Sequence, residues 1–180
     1  DGDPAAPAVH RAAGTWLARL HRLPAAGLDA MPLDDAYRRR AHGWLARAAA
    51  HLDAATLERA AAAMDDAVPR LAGRDRVPCH RDFTPRNWLV ARGRFVAAID
   101  LEHARPDAPE VDLVRLASST WPERPELRRA FLDGYRSAGG PADPAAPWLP
   151  GLIVLEAVAT VAWAAEHGDA AFEARGRRAL

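Results

Sequence analysis

The run His80-Arg81-Asp82-Phe83-Thr84-Pro85-Arg86-Asn87, followed after a short apolar stretch by Ile99-Asp100-Leu101-Glu102, brings the carboxylates of Asp82 and Asp100 and the carboxamide of Asn87 into one short span. Those residue types suit phosphoryl transfer. A phosphoryl donor brings several negative charges that a divalent cation must bridge, and the acceptor hydroxyl has to lie in line with the terminal phosphorus beside a carboxylate able to take its proton. A His, an Asp, four spacers and an Asn make a minimal loop for that work. The same residues admit a competing reading, in which His80, Asp82, Asp100, Glu102 and His103 surround a transition metal in a hydrolase. That reading leaves Asn87 idle, and its imidazoles are not at a zinc-binding spacing. Cys79, beside the loop, reads as a small buried hydrophobe rather than a nucleophile.

The elements around the loop must hold these groups together. Trp88-Leu89-Val90 and Phe95-Val96-Ala97-Ala98-Ile99 are strand-like runs joined by Arg92-Gly93-Arg94, hence a hairpin. Asn87 stands at the entrance of one arm and Asp100 at the exit of the other, so the two meet at one end of the ladder. Upstream, apolar spacing predicts a helix from Val9 to Leu23, stopped by Pro24, and a second from Asp34 to about His51. A third begins at Asp53 or Thr56 and runs to Leu71, with Gly73 beyond it. Downstream, Pro106 and Pro109 bracket a loop before a short helix from about Val111 to Ser118, and another helix covers Pro125 to about Ser137. Gly139–Pro147 reads as a flexible linker, about 139–147, followed by helices at Trp148–His167 and Asp169–Arg178. The expectation is a single α+β, mainly helical domain over 1–180. The Trp residues read as core, with Trp121 alternatively lining an acceptor site. His10, His21, His42, His51 and His167 read as surface or partly buried.

A chain of 180 residues is long enough to bury a substantial core. With 24 basic against 24 acidic residues, no sequence-independent attraction to nucleic acid or an anionic membrane is expected. All the basic residues are Arg. The chain therefore holds no phosphate-binding Lys, and its glycines are scattered apart from Gly139-Gly140 in the linker, so no Gly-rich phosphate loop is readable. A nucleotide-clamping lobe is expected to be missing, and the start at Asp1-Gly2-Asp3 agrees with a truncated or processed product. The lone Cys79 excludes an internal disulfide and suits a reducing, cytoplasmic setting. The apolar stretch Trp148–Ala165 contains Pro150 and Glu156, which argue for a buried helix of a soluble protein over a membrane span.

The segments Cys79–Val90, Ala98-Ile99-Asp100-Leu101-Glu102-His103-Ala104 and Val111-Asp112-Leu113-Val114-Arg115-Leu116 together resemble the aminoglycoside phosphotransferase / choline kinase family. The helix Trp16-Leu17-Ala18-Arg19-Leu20-His21 is similar to the first helix after that family's hinge. The resemblance implies the protein-kinase-like C-terminal lobe with a short β-hairpin at the catalytic loop, the N-terminal sheet lobe being absent. It implies that Asp82 orients and deprotonates a substrate hydroxyl, and that Asn87 and Asp100 hold Mg²⁺ against the phosphates of ATP or GTP; hard oxygen ligands suit that ion. His80 is expected to brace the loop and Asp112 to accept its backbone N–H groups. Arg81 and Arg86 stand where many relatives have Gly, and Thr84 where His is common. Either Arg contacts phosphate or pairs with Glu102, Asp107 or Glu110. Leu101 replaces an aromatic, read as a change of core volume. The expected acceptor is a small cationic alcohol such as an aminoglycoside antibiotic, its amines met by Asp107, Glu110, Glu156 or Glu166. Two alternatives stand beside this: an inactive isolated lobe, dimerising through the face left by the missing lobe, and a kinase of choline, homoserine or a sugar.

Overall fold

The computed structural model describes residues 3–25 and 31–180, so Asp1, Gly2 and Gly27 of the sequence reading lie outside it. In chain order the elements are α1 (Pro7–His21), α2 (Leu33–Ala48), α3 (Ala54–Ala67), β1 (Val77–Cys79), β2 (Trp88–Ala91), β3 (Arg94–Ala98), β4 (Arg105–Asp107), α4 (Val111–Arg115), α5 (Trp121–Glu123), α6 (Pro125–Ser137), α7 (Leu149–His167) and α8 (Ala170–Arg177). Short 3₁₀ turns cover Val68–Leu71 and Pro85–Asn87, and a π-helical turn covers Leu116–Thr120. The architecture is mainly helical with two small antiparallel ribbons, β1–β4 and β2–β3. Contacts group the chain into two compact units, 1–29 with 75–144 and 30–74 with 145–180.

The first unit is built on the crossing of α1 and α6. A Cβ on Gly14 would run into the Phe131 carbonyl, and one on Gly134 into the Arg11 carbonyl, so the two backbones meet where each helix lacks a side chain. Val9, Ala13 and Leu17 pack with Phe83, Trp88, Leu113, Phe131 and Tyr135 in one apolar cluster, with Trp16 stacked on Phe83 at 5.7 Å. Trp121 belongs to this core, 5.6 Å from Phe131, rather than to an acceptor surface. The hairpin turns at Arg92 (φ 51°) and Gly93 (φ 70°). Both central residues are left-handed, as a two-residue type I′ turn requires.

Three local outcomes differ from the sequence reading. The segment taken as loop around Pro106 is strand β4, registered so that Pro78 faces Pro106. A two-stranded ribbon is all edge, so the missing proline donors cost it little. The helix expected over 111–118 widens after Arg115 into the π turn, where the Trp121 N–H donates to the Leu116 carbonyl and the Ser119 hydroxyl donates to the Arg115 carbonyl at 2.5 Å, a side-chain competitor for the helical bond. In the segment after α6, irregular as expected, Ala142 is buried and its N–H donates to the Tyr135 hydroxyl at 2.9 Å.

In the second unit α7 packs on α2, α3 and α8. Asp53 caps α3 by accepting from the Thr56 N–H at 2.8 Å, and Pro69 lies in the 3₁₀ turn that follows it. Gly151 sits against Ala63 and Ala67, where a methyl would not fit. Helix α7 is long and apolar enough to cross a membrane, but Leu152, Leu155, Val158 and Val161 are buried as core. Trp163, read as core, is exposed and stacks on His167 at 4.1 Å.

Candidate active site

The loop between β1 and β2 is bent at its second residue. Arg81 has φ 68°, a conformation disfavoured for a residue with a Cβ, which explains why glycine suits this position. Asp112 secures the bend. Its Oδ2 accepts from the His80 N–H at 2.8 Å, and its Oδ1 accepts from the Arg81 N–H. The His80 ring lies 2.9 Å through Nε2 from the Ile99 carbonyl, linking the loop to the residue before Asp100. Asp100 itself has φ 65°, so two of the three non-Gly positive-φ residues among those described flank the same place. Backbone strain of this kind concentrates where geometry is functionally constrained.

Asp82 follows the bend and is 5% exposed. The Asn87 Nδ2 donates to Asp82 Oδ2 at 2.8 Å and to the Asp82 carbonyl at 2.9 Å. Because both partners are acceptors, the amide nitrogen must face them, which leaves the Asn87 oxygen for a cation. The Ile99 N–H donates to the Asn87 carbonyl at 2.9 Å, one step beyond the Trp88–Ala98 pair. The ladder thus brings the Asp100 backbone to the same end of the hairpin as Asn87. Asn87 and Asp100 are hard oxygen donors of the kind that fits Mg²⁺.

Two cations flank Asp82. The Arg86 Nη2 donates to its Oδ2 at 2.8 Å, and the Arg115 Nη1 sits 2.9 Å from its Oδ1 as an ion pair. Burial by itself pushes the Asp82 pKa up, but Arg115, Arg86 and the Asn87 amide together outweigh it and hold the carboxyl below the usual range. It is therefore an ionised acceptor at neutral pH, better suited to orienting an alcohol than to seizing a proton from bulk water. Arg86 reaches back because the 3₁₀ turn places it four residues after Asp82 on the same side; its partner is none of the three acids expected from sequence. Arg81 does pair with one of those acids, its Nε lying 3.0 Å from Asp107 Oδ2.

Several further readings change. Asp107 is taken by Arg81, Glu110 accepts from the Asp143 N–H at 3.1 Å, and Glu166 pairs with Arg47, so these acids proposed for acceptor amines are already engaged within the protein. Leu101 is 51% exposed, so its replacement of an aromatic is a surface change. His10 and His21 are buried, not superficial. Cys79 is buried too, and burial pushes its thiol well up, which suits no nucleophile. Ligating atoms of His21, Cys79 and Asp112 lie within 4.8 Å of one another, yet both His21 nitrogens and both Asp112 oxygens already have partners, so this is a hydrogen-bond cluster. Arg115 and His21 were not singled out from sequence. Their spacing from Asp82 and Asp112 is long-range, and only the helix positions, three residues past Asp112 and at the end of the Trp16–His21 run, hinted at them.

A profile of the phosphotransferase enzyme family, APH, matches residues 1–148. The chain matches the apoenzyme structure of macrolide 2'-phosphotransferase MphH from Brachybacterium faecium at 24% identity and TM-score 0.63, covering 99% of this chain and 61% of that one. It also matches choline kinase LicA from Streptococcus pneumoniae at 22% identity and TM-score 0.70, over 96% of this chain and 62% of that one. A GDP and kanamycin complex of APH(2")-IIia matches at 16% identity and TM-score 0.69, over 96% and 61%. The chain thus spans about 60% of the length of these solved structures, and their fold is the kinase-like one to whose C-terminal lobe it corresponds. A search of curated protein sequences finds no match. With the family profile covering most of its length, the chain belongs to the phosphotransferase enzyme family.

Proposed function

We propose that residues 1–180 act as one C-terminal catalytic lobe that moves the terminal phosphate of ATP or GTP to a hydroxyl of a small cationic molecule such as an aminoglycoside. The observation that carries this reading is the Asp82 cluster: an ionised carboxylate, nearly buried, fixed on both oxygens and touching an Asn whose oxygen faces away from it. Asp82 accepts the hydrogen bond of the incoming alcohol and takes its proton as the oxygen–phosphorus bond forms and the bond from that phosphorus to the nucleoside diphosphate breaks, the diphosphate leaving with the electron pair. Asn87 and Asp100 would hold Mg²⁺, which would supply neutralising positive charge for the phosphoryl donor. His80 and Asp112 keep the loop bent. Arg86, the exposed one, is the phosphate-contact candidate of the two loop arginines; Arg81 is the structural one. The work is placed in the cytoplasm, with nucleotide and acceptor as partners and neither nucleic acid nor membrane involved.

The test is transfer from ATP or GTP, with Mg²⁺, to aminoglycosides, macrolides, spectinomycin, choline, homoserine and sugars. Transfer that falls about 10²–10⁴-fold in Asp82→Asn supports the reading; undiminished transfer by that variant refutes it. A second reading, a lobe that does not turn over alone and self-associates, is favoured by the chain's spanning about 60% of the solved structures it resembles. Failure to bind nucleotide at millimolar concentration, with a dimer in solution, would select it.

A further inference from the structure

The Asp82 carboxylate has little room left for an acceptor hydroxyl. Its Oδ1, beside Arg115 Nη1 at 2.9 Å, exposes less than 1 Å² of surface. A hydroxyl can therefore reach Asp82 only through Oδ2, and Oδ2 already accepts from the Asn87 Nδ2 and the Arg86 Nη2, each at 2.8 Å. A carboxylate oxygen offers two lone pairs, so this one is full. One of its two partners has to leave before an alcohol can bind.

The two partners are held differently. Asn87 is 6% exposed, and its Nδ2 also donates to the Asp82 backbone carbonyl at 2.9 Å, so its departure would break two bonds at once. Arg86 reaches Oδ2 through a single Nη, from a side chain that is 58% exposed. The 3₁₀ turn over Pro85–Asn87 fixes the Arg86 backbone, with the Asn87 N–H on the Thr84 carbonyl at 2.9 Å. The guanidinium can thus leave by rotations within its own side chain, with no change to the loop. A solvated, one-point ion pair is weak and screened by salt. A phosphate chain offers the guanidinium fork a two-point partner of higher charge. Arg86 is also a feature of this chain, standing where many relatives have Gly.

We propose that Arg86 is a donor-released latch on Asp82: in the free chain its guanidinium closes the one carboxylate oxygen an alcohol can reach, and the polyphosphate of the donor draws it off. This rests on the phosphotransfer reading above and goes beyond a phosphate contact, because it couples the two substrates. Donor binding frees Oδ2 for the alcohol and, by neutralising Arg86, removes its repulsion of a cationic acceptor. By linkage, an alcohol on Oδ2 leaves Arg86 to the donor, so each substrate favours the other. Arg115 has no such part. Its side chain is 19% exposed and faces the closed oxygen, so it stays with Asp82 in both states.

The experiment is guanidinium ¹H–¹⁵N NMR on the 180-residue chain at fixed pH, with metal-free sodium triphosphate as the probe and the Arg86 signals assigned by their loss in Arg86→Ala. The free chain is expected to show resolved, rotationally restricted Arg86 Nη signals that average in Asp82→Asn; averaging in the wild type would overturn the proposal. Millimolar triphosphate should shift the Arg86 signals saturably, while the exposed Arg70 responds no more than it does to sulfate at equal ionic strength. The Asp82 ¹³Cγ signal should move with them, toward its position in ligand-free Arg86→Ala, and should stay in place in that variant. Arg86 signals that triphosphate leaves unmoved, equal shifts at Arg70, or an Asp82 response undiminished in Arg86→Ala would each overturn the proposal. None of these readouts needs turnover. A chain that transfers no phosphate but shows the release keeps the latch and loses the phosphotransfer reading; a chain that transfers while Arg86 stays on Asp82 does the opposite. Where transfer is measurable, a non-hydrolysable ATP analogue should tighten the acceptor about tenfold or more in the wild type and less than about twofold in Arg86→Ala. Equal tightening in both would leave Arg86 a plain phosphate contact and overturn the latch.

Discussion

The two compact units bury different chemistry. Among the described residues, His10, His21, His80, Asp82, Thr84, Asn87, Asp107, Glu110 and Asp112 are buried in the first unit, while Thr160 is the buried polar residue of the second. The second unit is held by Ala, Leu and Val on α3 and α7 and by ion pairs at its surface, such as Arg47–Glu166. Burying so many polar groups costs free energy unless each is partnered. The first unit meets that cost with networks around Asp82 and Asp112, which differ in kind. Asp82 is flanked by two arginines and an amide, whereas Asp112 is gripped by two backbone N–H groups and a histidine. Charged side chains surround the group proposed to act; backbone amides and an imidazole surround the group proposed to hold.

Breaking that contrast should have graded effects. The largest is expected from Asp82→Asn in an active protein, the loss of transfer described above, read by steady-state kinetics. Asp112→Ala should do the reverse and strike folding first. It strands two buried amides and His21, which by the usual cost of breaking buried charged hydrogen bonds is about 3–5 kcal/mol, read by denaturant titration. Gly134→Ala should cost about 1–3 kcal/mol, because a methyl there meets the Arg11 backbone and neither helix can retreat without opening the core.

A pH effect separates the units further. Burial, reinforced by Arg124, lowers the pKa of His10 from 6.5 to about 4. Its unfolded form binds the proton more readily, so the stability it lends is present above about 6.5 and is lost as pH falls from there toward about 4. The loss is about 3 to 4 kcal/mol at most, and a His10→Leu variant should flatten that part of the stability profile. The smallest effect belongs to the second unit: Arg47→Ala, at an exposed pair, should leave the melting midpoint unmoved within error.

Much of this was legible because it is local. The Asp82-to-Asn87 spacing, the hairpin ending beside Asp100, the Asp53 cap and the helix from Pro125 to Ser137 depend on neighbours within a turn or two. What escaped depends on partners far along the chain. Pro78 and Pro106 argue against strands singly, yet pair with each other across 28 residues of sequence, as Cys79 Sγ does with the Asp107 carbonyl. His21 looked like one polar residue at a helix end until Asp112 and Tyr135, 91 and 114 positions away, enclosed it. Arg115 likewise reads as a helix-terminal cation until the loop carries Asp82 to it.

The central claim is that Asp82, Asn87 and Asp100 share one centre for a divalent ion and an alcohol. Mn²⁺ titration of the ¹⁵N-labelled chain, with and without nucleotide, tests it most directly through paramagnetic broadening. The account predicts that the Asn87 side-chain amide and the amides of Asp82 and Asp100 broaden together at the lowest Mn²⁺ additions, and that Asn87→Ala abolishes the effect at the Asp82 and Asp100 amides. Broadening that begins elsewhere, or that reaches Asp100 without Asn87, would contradict it.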